Sequence, residues 1–176
     1  QNGQIQYKEI PFNYSRLNCI LSLGKDTIGI GTSNGIILFF AQNNQFRNVE
    51  MHFNVMRIFE DSHNELWLFS KEQRGIVRYD PLTNEQQHYE TPTQNMPKAE
   101  LRSRDVIFED NQGTLWVVPH LGCLSYYDRE DKELKPYYTD YSKPESKFTP
   151  VILNFYVDNQ KNFWYANNFW MDKISF

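Results

Sequence analysis

Carboxylates are the side chains best placed for chemistry in this chain. Glu60-Asp61, Glu109-Asp110 and Asp158 recur along it. Adjacent acids suit general acid and base work when one is kept protonated and the other ionised. Here each Asp opens a short segment of turn formers: Asp61-Ser-His-Asn64, Asp110-Asn-Gln-Gly113 and Asp158-Asn-Gln-Lys161. Asp and Asn bond to their own backbone and tolerate left-handed geometry. A catalytic pair is needed once, whereas these acids return at the same point of separate repeats. The pattern therefore predicts structural turn acids.

The other reactive types point the same way. His52, His63, His88 and His120 are scattered, with no two at metal-ligand spacing, so neither a metal nor a cofactor is expected. Cys19 and Cys123 sit in apolar, strand-like runs and read as small buried hydrophobes that do not fix the redox compartment. Neither has a His or Asn companion that the sequence places beside it, and no Gly-x-Ser-x-Gly elbow occurs. No catalytic residue is assigned. Gly35, Gly75 and Gly122 lack any phosphate-loop context and read as positions of positive φ or close backbone approach.

Composition sets the class. The chain has 176 residues, 40% hydrophobic and 16% aromatic, which suits packed sheets and excludes a disordered segment. Its formal net charge is −4 and no Lys/Arg cluster would follow a phosphate backbone, so nucleic acid is not an expected partner. No run of 18 apolar residues exists, and the N-terminus has neither a charged nor an apolar leader region. The expectation is a processed chain or a fragment that meets a membrane only through a missing part of its parent.

Sliding the chain on itself exposes the elements that position the acids. Met56-Arg-Ile-Phe-Glu-Asp-Ser-His-Asn-Glu-Leu-Trp-Leu68 lies without gaps on Asp105-Val-Ile-Phe-Glu-Asp-Asn-Gln-Gly-Thr-Leu-Trp-Val117, and Leu153 to Tyr165 is a third copy. Asp61, Asp110 and Asp158 stand at one offset from Trp67, Trp116 and Trp164. A degenerate first copy, Asn18 to Ile30, has Leu23 in the Asp column and Gly29 in the Trp column. That column falls at 29, 67, 116 and 164, at intervals of 38, 49 and 48 residues. Each copy continues into a third strand, with Gly35, Gly75 and Gly122 opening the first three and Trp170-Met-Asp-Lys-Ile174 taking that place in the fourth. Short outer strands follow, at Gln86 to Tyr89 and Leu134 to Tyr138. Four short strands at blade-sized intervals predict an all-β chain of about four four-stranded antiparallel β-propeller blades, cut from a larger propeller.

Ile58, Ile107 and Phe155 share one column of the first strand, and Phe59, Phe108 and Tyr156 the next, so both faces are apolar. Burial on both sides is expected of a strand between two neighbouring sheets, with the Trp column as wedges between blades. The expected divisions are 17–50, 54–92, 104–141 and an incomplete 151–176. Residues 1–10 resemble the outer-strand stretch Thr83 to Thr91 and are expected to be the last strand of a preceding or closing blade. Either that strand completes a four-bladed ring beside 173–176, or the chain is an arc with open ends. The arc is the favoured reading, and the rest of the parent's blades or a second copy of the chain would then pair with it.

These residues resemble the two-component regulator propeller repeat, in Val55 to Leu68 with Gly75 to Asp80 and in Val106 to Val117 with Gly122 to Asp128. The fourth copy keeps Asp158 and Trp164 but has Trp170 for Gly, and the first has lost both Asp and Trp. The resemblance implies a periplasmic sensor region of a membrane-bound hybrid histidine kinase, with glycan-derived oligosaccharides as signals. The fragment itself would not be catalytic. Propellers bind through loops on one face, and sugars need flat aromatics with planar polar groups. The candidate contacts are therefore Trp170, Asn167, His120, Arg74, Arg102 and Arg104. A structural or dimerising module is the alternative, and a fragment of a propeller lyase or glycosidase is a third reading.

Overall fold

The computed structural model describes residues 7–24, 26–70, 72, 75–90, 106–118, 124–137, 154–166 and 171–174. These form fifteen strands in chain order. The first sheet is β1 (Leu17–Leu23), β2 (Thr27–Thr32), β3 (Gly35–Phe40) and β4 (Gln45–Glu50). The second is β5 (Arg57–Glu60), β6 (Leu66–Phe69), β7 (Ile76–Tyr79) and β8 (Gln86–Tyr89). The third is β9 (Val106–Glu109), β10 (Leu115–Val118), β11 (Ser125–Asp128) and β12 (Glu133–Pro136). The fourth has three strands among the described residues, β13 (Asn154–Val157), β14 (Phe163–Ala166) and β15 (Met171–Ile174). Every sheet is an antiparallel meander in sequence order.

The first hairpin of each sheet is made by the same turn. Asn64 N donates to Asp61 O at 3.0 Å, Gly113 N to Asp110 O at 3.2 Å and Lys161 N to Asp158 O at 2.9 Å. The donor residue is left-handed in each case, with φ of 63°, 78° and 60°, and Asp26 takes this place in the first sheet with φ 59°. This is the three-residue hairpin in which a type I turn ends on a left-handed residue, the chemistry that Asn and Gly serve best. The third-to-fourth-strand turns repeat too, with Asn44, Asn84 and Lys132 left-handed at matching positions.

Alternation of side chains across β6, β10 and β14 joins the sheets. Leu66 and Leu68 face the first sheet, in a core with Leu23, Ile36 and Leu38, while Trp67 and Phe69 face the third. Leu115 and Val117 complete that second core, and Trp116 and Val118 turn to the fourth sheet. Phe163 and Tyr165 close the third core. The second and third sheets are thus buried on both faces, which explains why their inner strands read as continuous apolar runs rather than alternating ones.

Two expectations change. Phe108 is buried and Phe59 half-buried, but Tyr156 of the same column is 62% exposed, because among the described residues no sheet packs on that face of the fourth. Residues 7–10 carry no strand, although an outer strand was expected over 1–10. Lys8 instead lies 4.7 Å from the centroid of the Phe39 ring and bonds Asn44, both in the first sheet, while residues 1–6 lie outside the described set. A strand needs a partner edge, and over residues 7–10 the similarity to Thr83 to Thr91 supplied a pattern without one. Gly75, at φ +94°, has a closer constraint: a Cβ there would sit 2.0 Å from the carbonyl oxygen of Tyr89, so only glycine lets β7 and β8 meet.

Candidate functional site

The recurrent acids end up as hubs. Asp61 Oδ1 accepts the backbone N–H groups of His63 at 2.9 Å and Glu65 at 3.0 Å, and its Oδ2 accepts the Trp67 indole N–H at 3.0 Å and Arg129 at 2.9 Å. Asp110 repeats this with Gln112, Thr114 and Trp116, and Asp158 with Gln160, Asn162 and Trp164. Burial opposes ionisation of Asp61, yet the indole, the guanidinium and the backbone donors outweigh it and hold its carboxyl below the usual range. The Trp164 indole and Asn162 bring Asp158 down to about 2. Acceptors whose lone pairs are already committed, and whose acidity rises, are not placed to hold a proton for catalysis.

The glutamates do a different task. Glu60 Oε2 accepts the backbone N–H of Gly24 at 2.8 Å. Glu109 accepts the N–H and hydroxyl of Ser62 at 3.0 and 2.7 Å. Gly24 and Ser62 each follow the Asp column of the preceding sheet, so each Glu reaches back one sheet. Val157 stands at this position in the fourth, where Asn111 Nδ2 donates to Gln160 O at 2.8 Å instead. A cleft of about 810 Å3 runs along these turns past Glu60, Asp61, Glu109, Asp158 and Lys161.

Farther out, the gap between the second and third sheets is ionic. Arg129 bridges Asp61 and Glu65, and Glu65 also pairs with Arg78 at 3.4 Å. Behind them the hydroxyls of Tyr89 and Tyr127 meet at 3.0 Å beside the Trp67 ring, and burial pushes the Tyr89 phenol well above its usual range.

The opposite end of the sheets carries the loops expected to touch a ligand. Trp170, Asn167, His120, Arg74, Arg102 and Arg104 lie outside the described residues, as does Gly122. What is described there is a polar group that sequence reasoning missed. Asn18 Nδ2 donates to Asn54 Oδ1 at 2.5 Å and to Val55 O at 2.9 Å, and Glu72 faces the Asn54 N–H at 3.4 Å. The Asn18 carbonyl oxygen is shut off from solvent without a hydrogen-bond partner, a condition that favours any donor able to reach it. An Asn near the start of a mostly apolar first strand was the available signal. Cys19, beside it, is half-buried against the first core, and burial raises its thiol.

No family model matches the sequence, and no curated protein matches it. Solved structures do. The extracellular domain BT4673 of B. thetaiotaomicron, described as that of a hybrid two-component system, superposes with a TM-score of 0.64 at 20% identity, over 93% of this chain and 21% of that one. The chain has a β-propeller fold. BT3049 of the same organism, described likewise, gives 0.64 at 18% identity over 98% of this chain and 24% of that one. A streptogramin B lyase gives 0.60 at 18% identity over 95% and 57%. The propeller segment therefore spans about a fifth to a quarter of the two extracellular domains. Among its described residues no helix is long and apolar enough to cross a membrane, and no three His, Cys, Asp or Glu side chains group as metal ligands.

Proposed function

We propose that this chain is a non-catalytic, ligand-reading segment of an extracytoplasmic propeller, in a sensor histidine kinase of a two-component system that answers glycan-derived oligosaccharides. The observation that carries the reading is the polar group at the loop end, where Asn18, Asn54 and Glu72 meet and the enclosed Asn18 side-chain oxygen has no hydrogen-bond partner among the described residues. Oligosaccharides bring many hydroxyl donors, and a buried acceptor without a partner gains most from one. The repeat resemblance and the fold shared with two extracellular domains support the sensor context and a periplasmic location.

Calorimetry of the full chain against an oligosaccharide panel tests this. Binding that weakens tenfold or more in Asn18→Ala and Asn54→Ala is expected. Absence of binding across a wide panel would overturn the ligand-reading role.

The exposed Tyr156, at 62%, and Met171, at 68%, favour a second reading, a structural module whose fourth sheet pairs with the parent's further blades or with another copy. Light scattering of the chain, alone and with Tyr156→Lys, separates the two. The lyase-like fold alone does not assign turnover.

A further inference from the structure

We infer that the gap between the first and second sheets is a binding pocket for a small, uncharged aromatic molecule, distinct from the loop end. The repeat supplies a built-in comparison, because most charged positions of the next gap have uncharged counterparts in this one, Glu109 and Glu60 being the pair that keeps its charge. Asp61, Glu65, Arg78 and Asp80 of the second sheet correspond by register to Leu23, Thr27, Leu38 and Phe40 of the first. Arg129 and Glu130 of the third correspond to Pro81 and Leu82 of the second. Trp67, whose indole fills the later gap, corresponds to Gly29.

Leu23 takes part of the vacated volume: a Cβ on Gly29 would lie 3.1 Å from its Cδ1. Beside it lies a cavity of about 210 Å3 with Leu23, Leu38, Phe40, Leu66, Pro81 and Leu82 as its apolar lining and Thr27, Glu60 and Asn64 as its polar one. Apolar cavities of about 150 Å3 stay dry and accept a single benzene-sized ring, so this one has the size for one ring and a small substituent. At its mouth the Glu60 carboxylate is engaged by the Gly24 N–H, and Leu82 stands 93% exposed, an unusual degree for a leucine that flanks an apolar opening. Glu60 is the one ionisable side chain in the lining, and an anion there would repel a phosphate rather than hold it. The apolar part of the lining suits the face of a small aromatic ring such as an indole.

Titration of the full chain, carrying 13C-labelled leucine methyls, with free 5-fluoroindole tests the assignment. Saturable shifts of the Leu23, Leu38, Leu66 and Leu82 methyls are expected, with Leu115, Leu124 and Leu134 unmoved. Thr27→Trp, which lays a ring across the cavity, should weaken binding at least tenfold. Leu82→Lys, at a fully exposed position that leaves the core intact, should weaken it about threefold. Shifts that fail to saturate at the solubility limit, shifts centred on Leu115 and Leu134, or equal affinity in both variants would each overturn the pocket. None of these outcomes depends on whether oligosaccharides bind at the loop end.

Discussion

Asp61 accepts four hydrogen bonds, two from its own turn, one from its own indole and one from Arg129 of the next sheet. Asp61→Asn keeps the shape but replaces one acceptor oxygen with a donor facing an indole and a guanidinium. We expect it to lower the unfolding free energy by about 2 kcal/mol in urea titrations. Asp158→Asn should cost clearly less, because no guanidinium reaches that carboxylate among the described residues. The carboxyls of Asp61 and Asp158 are both held below the usual range, so it is the ionised form that favours the fold. Their contribution is complete above about pH 4 and drains away as the pH falls toward 2. Thermal melts between pH 5 and pH 2 should therefore show stability falling with acid in the parent chain, and a shallower fall in the double Asn variant. The structural role of these acids was legible because an Asx turn is local chemistry, written in consecutive residues. Their bond to the indole follows from the fixed offset of six. Arg129 was not legible, since a contact 68 residues away in sequence depends on how sheets stack.

At the scale of strands and turns, glycine positions differ sharply in what they tolerate. Gly75→Ala places a methyl against the Tyr89 carbonyl and should cost about 3 kcal/mol, with hydrogen exchange accelerated throughout β7 and β8. Gly113→Ala meets only a distant Glu109 carboxylate at 4.0 Å, so it carries the left-handed backbone cost alone, about 1 kcal/mol. Equal losses in the two variants would show that the close approach is not the constraint. The strand order, the first hairpin turn and the two-faced burial of the inner strands were readable from period, turn residues and the Trp column. The glutamates that reach back to Gly24 and Ser62 were not, because an acid beside a turn Asp looks the same whether it serves its own sheet or its neighbour. Residues 7–10, the described part of the outer strand expected over 1–10, carry no strand for a related reason. Alternation shows that a segment can be a strand, while the edge it joins is a tertiary fact.

Taken as a stack, the sheets have two unlike outer faces. On the first, Ile37 and Phe39 are buried, with Lys8 laid over the Phe39 ring. On the fourth, Tyr156 and Met171 are open and Trp164 is only half-buried, in contrast to Trp67 and Trp116. Acrylamide quenching should accordingly reach Trp164 more readily than Trp67 and Trp116, and Trp164→Phe should remove more of the quenchable signal than Trp67→Phe or Trp116→Phe. The backward-reaching glutamates have a consequence for kinetics. In each closure a glutamate of the later sheet accepts an N–H of the earlier one, and the fourth sheet, with Val157 in that place, has no such acceptor. Loss of structure then has a direction. Among the described residues the fourth sheet can detach without breaking a carboxylate bond to the third, whereas the second can leave the first only by breaking Glu60 from Gly24. Amide exchange measured residue by residue should show opening free energies that rise from the fourth sheet toward the first, so that the stack peels from one end like a zip rather than melting evenly.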